Sequence, residues 1–281
     1  MMQDMCILVV SCDKYADCWT PFSDCMRKFW PDCPYPVYLC TESGEPEAGT
    51  VYSRALHSPN PSWTGRLREV CAQIQEEYIF ITLEDHWLAG KIDQEKIVAD
   101  SFRQHNIIAL VVPAESHTVA LLRQHKEVGV VYLDYLTPTM PIWSKDGGYR
   151  EIPAGTQYRL AAGPSVWRKE FLCIACAEDA DAWNFERVKS FSPETYSYTV
   201  LTCKDSQYQR IHPAGSVQRG KWQLCVRSFA AQNGLNIDTS HRPFMGFKDT
   251  FVIKAKSIIF NLNPSLIVKI QNWLYHHSQK K

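Results

Sequence analysis

The sequence lacks an excess of charge of either sign, because its 281 residues carry 30 basic and 30 acidic side chains. Proteins that bind nucleic acid usually present a basic face to the phosphate backbone. The balance therefore gives no reason to expect nucleic acid as a partner. A site for an anionic ligand has to be a local cluster of cations.

Long apolar runs are also absent. The N-terminal residues Met1–Asp4 include no basic side chain, and the first continuous apolar run is Cys6–Val10. A secretory signal needs about 7–15 apolar residues after a basic segment, and a membrane helix needs about 20. The sequence thus predicts a soluble, cytoplasmic protein in which Cys6–Val10 belongs to a buried strand.

Cysteine is abundant, yet the patterns that mark a disulfide or metal framework are missing. The eleven cysteines are odd in number and scattered along the chain. Cys173 and Cys176 have the two-residue gap of zinc sites, but no second pair accompanies them. We expect buried, reduced thiols, as in cytosolic proteins.

Repeats, low-complexity tracts and linkers are absent too, so residues 1–281 are predicted to form one domain. The chain opens with an apolar strand at Met5–Val10, a helical pattern over Tyr15–Phe29 and a second strand at Tyr35–Cys40. Such an opening favours a right-handed crossover between parallel strands. The predicted class is α/β, with a mixed, mainly parallel sheet flanked by helices.

The later elements follow the same reasoning. Ser62 is the expected N-cap of the next helix. The other predicted elements are strands at Tyr78–Leu83, Ile107–Val112 and Val128–Tyr132, and helices at Asp93–His105, Ser165–Ala177 and from Asn263 towards the C-terminus.

Polar residues follow two of the predicted strands directly. Ser11–Asp13 come after the first strand, and Glu84, Asp85 and His86 come after Tyr78–Leu83. Ligands of open α/β sheets bind at the carboxyl ends of the strands. Two carboxylates and an imidazole are suitable ligands for a Mn²⁺ or Mg²⁺ ion that bridges a diphosphate. The alternative is that the acids cap the next segment and that His86 lies on the surface.

These segments resemble bacterial polysaccharide and lipopolysaccharide glycosyltransferases of the A-type (GT-A, Rossmann-like) fold. The likeness reaches from about residue 6 to about residue 222. Its segments are Ile7–Tyr15, Trp19, Phe29–Pro31, Pro36–Leu39, Trp63–Leu67, Tyr78–His86, Gly163–Lys169, Trp183–Glu186 and Gly220–Trp222.

The resemblance implies a donor site in the front half, to about residue 112, and an acceptor-side half over about 113–281. Val10, Ser11 and Asp13 would hold the base and ribose of a nucleotide sugar. Glu84–His86 would occupy the Asp-x-Asp position of the family, with Asp85 taking part in catalysis. His86 replaces the final carboxylate there, and some members of this fold use basic residues in place of the metal.

Cations should converge on the diphosphate as it leaves with its negative charge. Arg219 and Lys221 are the candidates in the second half, and Arg66 and Arg68 compete with them from the first. His212 lies close to Arg219 in sequence and joins Asp85 and His86 as a candidate metal ligand. The alternative for each cation is a solvated place on the surface.

An inverting transfer also needs a general base to deprotonate the acceptor hydroxyl. Glu186 is the first candidate, with Trp183 and Phe185 stacking on a sugar and raising the pKa of the carboxylate by desolvation. The alternative is that the two aromatic rings belong to the core and that Glu186 pairs with Arg187 or Lys189. If transfer retains configuration, Glu186 loses this role.

The sequence therefore predicts transfer of a sugar from a nucleoside-diphosphate donor to a glycan or lipid-linked acceptor during surface polysaccharide assembly. The main alternative is a non-catalytic nucleotide- or glycan-binding module that keeps the fold, and a metal-dependent hydrolase is a third reading. The C-terminal helix carries aromatic and basic residues, and it could touch the inner face of a membrane, although docking onto the domain is favoured.

Overall fold

The structure is a computed structural model that describes residues 4–91, 117–133, 140–204, 210–211, 215–246 and 249. Four predictions lie outside these residues: the helix at Asp93–His105, the strand at Ile107–Val112, the position of His212 and the C-terminal helix from Asn263. Within the described part of the chain, no helix is both long enough and apolar enough to cross a membrane.

Strands and helices alternate through the front of the chain and become more mixed behind it. The strands are β1 (Met5–Val10), β2 (Val37–Thr41), β3 (Tyr52–His57), β4 (Tyr78–Leu83), β5 (Val128–Tyr132), β6 (Tyr149–Glu151), β7 (Ser165–Arg168), β8 (Thr199–Cys203), β9 (Val217–Gln218) and β10 (Lys221–Trp222). The helices are α1 (Trp19–Phe29), α2 (Trp63–Cys71), α3 (His117–Gln124), α4 (Lys169–Ala175), α5 (Ala182–Arg187) and α6 (Leu224–Asn233).

Among the described residues, eight strands form one sheet in the order β3-β2-β1-β4-β7-β5-β8-β6. Strands β3, β2, β1 and β4 are mutually parallel, and β5 is parallel to β8. Strand β7 is antiparallel to both β4 and β5, and β6 is antiparallel to β8. The predicted α/β class with a mixed, mainly parallel sheet is therefore confirmed.

Both faces of the sheet are covered, since successive side chains of a strand point to opposite faces. Ile7 and Val9 of β1 pack in one apolar cluster with Phe22 of α1, and Val226 of α6 belongs to the same cluster. A second cluster contains Leu8 and Val10 of β1, Leu67 of α2 and Phe171 of α4. Strand β1 is thus buried from both sides, as its continuous apolar run predicts.

Several local predictions are confirmed. Strands β1, β4 and β5 have the predicted bounds. The Ser62 side chain accepts a hydrogen bond from the Gly65 amide, so it caps α2 as expected. All eleven cysteines are free thiols, and most are buried.

Other local predictions are wrong. Ser165–Arg168 is a buried strand, and the helix begins only at Lys169. Val166 and Trp167 favour a strand, and pairing with β4 and β5 on both sides outweighs any helical preference. The first helix begins at Trp19, since Asp13–Cys18 form a 3₁₀ segment. Strand Tyr52–His57 has mostly half-buried or exposed side chains and lies in a stretch for which the sequence predicted no strand.

Candidate functional site

The candidate site begins where β1 and β4 end side by side. Val10 pairs with Leu83 in the parallel ladder, so Ser11 and Glu84 leave the sheet next to each other. Strands β2 and β3 end at the same edge and add Glu42 and Ser58. The structure thus brings together the two polar segments, 11–13 and 84–86, that the sequence placed at the carboxyl ends of strands. We call this place the mouth of the site.

Asp13 lies beside these strand ends and contacts the loop that follows β2. Its carboxylate accepts hydrogen bonds from the Ser43 hydroxyl at 2.8 Å, the Ser43 amide at 3.3 Å and the Gly44 amide at 2.9 Å. Burial favours the neutral acid, but these hydrogen bonds outweigh burial and lower the pKa of Asp13. An ionised Asp13 therefore fixes the loop that follows β2.

Arg66 reaches the same place from α2, and its side chain is buried. Its Nη1 donates to the Ser11 carbonyl at 3.0 Å, and its Nη2 forms an ion pair with Glu42 at 2.6 Å. The second oxygen of Glu42 accepts from the Asp13 amide at 2.6 Å. Arg66 and Glu42 thus tie the ends of β1 and β2 together, and sequence reasoning missed Glu42.

Glu84 follows β4 directly, with only 7% of its surface exposed. Burial raises its pKa well above the ordinary range, and the neighbouring Asp85 charge adds to the increase. A hydrogen bond with the Ser11 side chain and the positive charge of Arg242 oppose that shift. Burial therefore favours the protonated form of Glu84.

Asp85 is nearly as buried, at 8% exposure. Burial raises its pKa to about 7, while the Val217 amide, which donates to the carboxylate, pulls in the opposite direction. The Ser216 amide donates to the Asp85 carbonyl at 2.7 Å. A Cβ on Gly215 would come within 2.2 Å of the Asp85 carboxylate, and Gly215 has φ +78, so the chain can pass over Asp85 only with glycine here.

His86 faces Arg210 across the site. Arg210 Nη1 lies 3.3 Å from His86 Nε2, and Asp85 Oδ1 lies 3.8 Å from the same nitrogen. Burial and then the charge of Arg210 hold the pKa of His86 well below its usual range. The imidazole is therefore neutral, and sequence reasoning missed Arg210.

Arg242 is a second arginine that sequence reasoning missed. It binds Asp17 in the 3₁₀ segment after β1. Its guanidinium makes two hydrogen bonds to the Asp17 carboxylate, at 2.8 Å and 3.0 Å. It also stacks over the rings of Tyr15 and Trp222, with centroid distances of 4.4 Å and 5.4 Å. Arg242 is far from Asp17 in sequence, so no local pattern predicts this contact.

The predicted cations Arg219 and Lys221 lie on the β9–β10 hairpin, whose Val217 amide contacts Asp85. Arg219 is exposed and Gly220 follows it in the turn, with φ values of 52° and 72°. Lys221 Nζ pairs with Asp249 at 2.8 Å. The hairpin therefore carries one exposed and one paired cation. It contacts the segment Glu84–His86, which we call the acidic motif, through the Val217 amide.

Glu186 and Trp183 both lie on α5. Glu186 accepts from the Ala162 amide at 2.9 Å, and burial raises its pKa. Ala162 lies just before β7, which starts at the edge where β4 ends, since Ser165 pairs with Ile81. Glu186 thus lies at the same edge as the acidic motif, and Trp183 is 71% exposed one helical turn away.

A metal ion is not favoured by these groups as they stand. In the described part of the chain, no three His, Cys, Asp or Glu side chains are grouped to hold a metal ion. Arginine only donates, so a hydrogen bond with Arg210 occupies the lone pair of His86 Nε2 that a metal would need. His212, the third predicted ligand, lies outside the described residues, and the Mn²⁺ or Mg²⁺ cofactor stays a prediction.

Comparison with known proteins adds only distant likenesses. No family model matches the chain, and no curated protein matches it. Among solved structures it is similar to S. aureus TarS, with 8% identity and a TM-score of 0.43 over 73% of this chain and 36% of that one. It is similar to S. aureus TarS 1-349 in complex with UDP-GlcNAc, with 12% identity and a TM-score of 0.41 over 84% of this chain and 68% of that one.

A third likeness is to the 2-C-methyl-D-erythritol 4-phosphate cytidylyltransferase of Thermus thermophilus. Here the identity is 11% and the TM-score 0.39, over 76% of this chain and 95% of that one. The chain spans about a third of the length of the first TarS structure.

Proposed function

We propose that the chain transfers a sugar from a nucleoside diphosphate to a hydroxyl group of a glycan or lipid-linked acceptor. The observation that carries this proposal is the pairing of Val10 with Leu83, which sets Ser11 beside Glu84 at the carboxyl edge of the parallel strands. That edge is where open α/β sheets bind nucleotides.

The donor's base and ribose would lie against Val10, Ser11 and Asp13, inside the wall that Arg66 and Glu42 hold in place. This arrangement suits a nucleoside because backbone groups and fixed polar side chains line one end of a buried sheet. The diphosphate would then extend towards Asp85, with Glu84 behind it and Arg219 and Lys221 of the hairpin beside it.

The acceptor would approach from α5. In an inverting reaction, the Glu186 carboxylate takes the proton of the acceptor hydroxyl while the oxygen bonds to the anomeric carbon of the donor. The bond from that carbon to the diphosphate breaks at the same time, and the nucleoside diphosphate leaves with the electron pair. Burial raises the pKa of Glu186, which makes its carboxylate a stronger base than that of a solvated glutamate.

A non-catalytic module that binds a nucleotide or a glycan is the second candidate. The observation that favours it is the closure of the acidic motif, because the Val217 amide and Arg210 already contact Asp85 and His86. Such a module would bind the donor and show no turnover, whereas an enzyme would do both.

A thermal-shift screen with UDP-, GDP-, CMP- and dTDP-sugars, each in EDTA and in Mn²⁺, tests the proposal. A ligand that binds only the folded chain raises the unfolding midpoint by mass action. At least one sugar nucleotide should raise it, and the same compound should be turned over with a mixture of glycan acceptors. No shift with any nucleotide would refute the donor site, and a shift without turnover would favour the module.

A further inference from the structure

The acidic motif contacts a positively charged side chain of the protein, Arg210. Arg210 is held at this place by an antiparallel bridge with Leu88, two residues beyond His86. Its Nη1 is 3.3 Å from His86 Nε2, and the Asp85 carboxylate oxygen is 3.8 Å from the same nitrogen. A guanidinium thus lies beside the imidazole that the family pattern would assign to a metal.

The contact between Arg210 and His86 decides which atoms remain for a metal. An arginine has no acceptor atom, so the nitrogen that it contacts must supply its lone pair. A divalent ion binds an imidazole through that same kind of lone pair. Arg210 and a metal on His86 Nε2 are therefore mutually exclusive in this arrangement.

Asp85 is similarly engaged by the protein. Its carboxylate accepts the Val217 amide, and the backbone at Gly215 packs directly on it. A metal bound here would have to share the carboxylate with the Val217 amide. Arg210, in contrast, already contacts the motif through His86.

We propose that the Arg210 guanidinium takes the place of the divalent cation and binds the diphosphate of the donor. This inference rests on the proposed function of the same site. A guanidinium matches two phosphate oxygens with a fork of N–H donors, and it stays charged at all relevant pH values. It also stabilises the nucleoside diphosphate as negative charge develops on it. The chain should therefore bind its donor without metal.

Calorimetric titration with UDP, GDP and dTDP, each in excess EDTA and in Mn²⁺, tests this inference. The wild-type chain should bind at least one of the three with equal affinity in both buffers. Arg210→Ala should weaken that binding by about 10- to 100-fold, the range expected for a lost charged hydrogen bond. Arg210→Lys should recover part of it, and Arg227→Ala, at an exposed arginine of α6, should change nothing.

The variant His86→Asp separates binding of the diphosphate by Arg210 from binding by a metal ion, because it restores a carboxylate at the metal position. If Arg210 is the diphosphate cation, the new carboxylate pairs with it, so nucleotide binding weakens in both buffers. Binding that requires Mn²⁺ and ignores Arg210→Ala would overturn the inference and leave the proposed function intact. Absence of binding to all three nucleotides in both buffers would refute the proposed function and the inference with it. Unfolding midpoints of each variant identify any loss that is due to misfolding.

Discussion

Two buried arginines, one at each edge of the sheet, show how differently the same side chain is used. Arg66 lies at the carboxyl edge of the parallel strands and is 8% exposed, while Arg168 lies at the opposite edge and is 5% exposed. Arg66 binds the ends of β1 and β2 through Ser11 and Glu42. The two arginines are about equally buried, so the feature that distinguishes them is their position on the sheet.

Arg168 holds the scaffold together. It donates to the carbonyls of Leu122 at 2.5 Å and Val128 at 3.3 Å, and it pairs with Glu77 at 3.2 Å. It thereby joins β7, α3 and the start of β5, while its guanidinium lies over the Tyr78 ring. Under the proposed function, the contacts of Arg66 frame the donor site, whereas those of Arg168 serve the scaffold alone.

The largest effect is expected at the carboxyl edge for Glu186→Gln. If Glu186 is the general base, the transfer rate should fall about 10²–10⁴-fold, because glutamine cannot take the acceptor proton. The KM for donor should hold, since the role proposed for Glu186 is towards the acceptor hydroxyl. Steady-state kinetics across pH measure both, and the acid limb of the profile should vanish in the variant.

The matched control for Glu186 is Glu194→Gln, an exposed acid in the 3₁₀ turn Pro193–Thr195. It should keep the wild-type rate. Equal losses in the two variants, or a wild-type pH profile for Glu186→Gln, would remove Glu186 from the chemistry and leave it as a partner of the Ala162 amide.

Asp85→Asn comes next, with an expected loss of about 10²–10³-fold in turnover, comparable to removing one preorganised electrostatic group. The amide oxygen can still accept from the Val217 amide, so the fold should persist. Comparing kcat with the unfolding midpoint checks this. Full activity in Asp85→Asn would mean that the Asp85 carboxylate takes no part in catalysis.

Strands β1 and β4 at the front of the molecule could be predicted from the sequence because their signals are local, although β3 was missed. Continuous apolar runs locate β1, β4 and β5, and polar residues directly after β1 and β4 locate the mouth. Parallel neighbours end at one edge, so the meeting of Ser11 with Glu84 follows from the class of fold alone.

The rest of the site could not be predicted, because its contacts join residues far apart in sequence. Arg242 pairs with Asp17, and Arg210 meets His86, across more than a hundred residues in each case. Strand β7 was also missed, since four residues flanked by a helix carry too short a pattern, and pairing on both sides decides its state. The partner of Lys221, Asp249, has no sequence signal either.

Arg168→Ala should test the scaffold edge. It leaves buried carbonyls of Leu122 and Val128 without their donor, so we expect a loss of about 3–5 kcal/mol in the free energy of unfolding. Nucleotide affinity of the folded fraction should not change. Urea denaturation and nucleotide titration measure the two effects.

Arg66→Ala is the counterpart at the carboxyl edge. It should weaken nucleotide binding about tenfold and cost less stability than Arg168→Ala, because Arg66 donates to fewer main-chain carbonyls than Arg168 does. If both variants lost similar stability and neither changed nucleotide affinity, Arg66 would have the same purely structural role as Arg168.

The pH dependence of stability offers a smaller test of the buried acid. The pKa of Asp85 rises from 3.8 to about 7 on folding, so the folded chain holds this proton more tightly than the unfolded chain. Its contribution is complete below about pH 4 and is lost as the pH rises to about 7, up to roughly 4 kcal/mol. Wild type should therefore lose stability relative to Asp85→Asn across this window, as urea titrations at several pH values would show. If the difference in free energy of unfolding between the two proteins stayed constant with pH, Asp85 would have to be solvated in the folded chain.

The smallest effect is expected for Trp183→Ala on α5. Because Trp183 is 71% exposed, its loss should change the free energy of unfolding by less than about 0.5 kcal/mol. If the indole stacks on an acceptor sugar, the acceptor KM should rise roughly fivefold, as expected for about 1 kcal/mol of aromatic contact. Val188→Ala, also exposed and just beyond α5, should leave that KM unchanged. A KM that shifts equally in both variants would point to a general effect of the apolar surface, whereas a shift in Trp183→Ala alone extends the chemistry of the carboxyl edge to the acceptor.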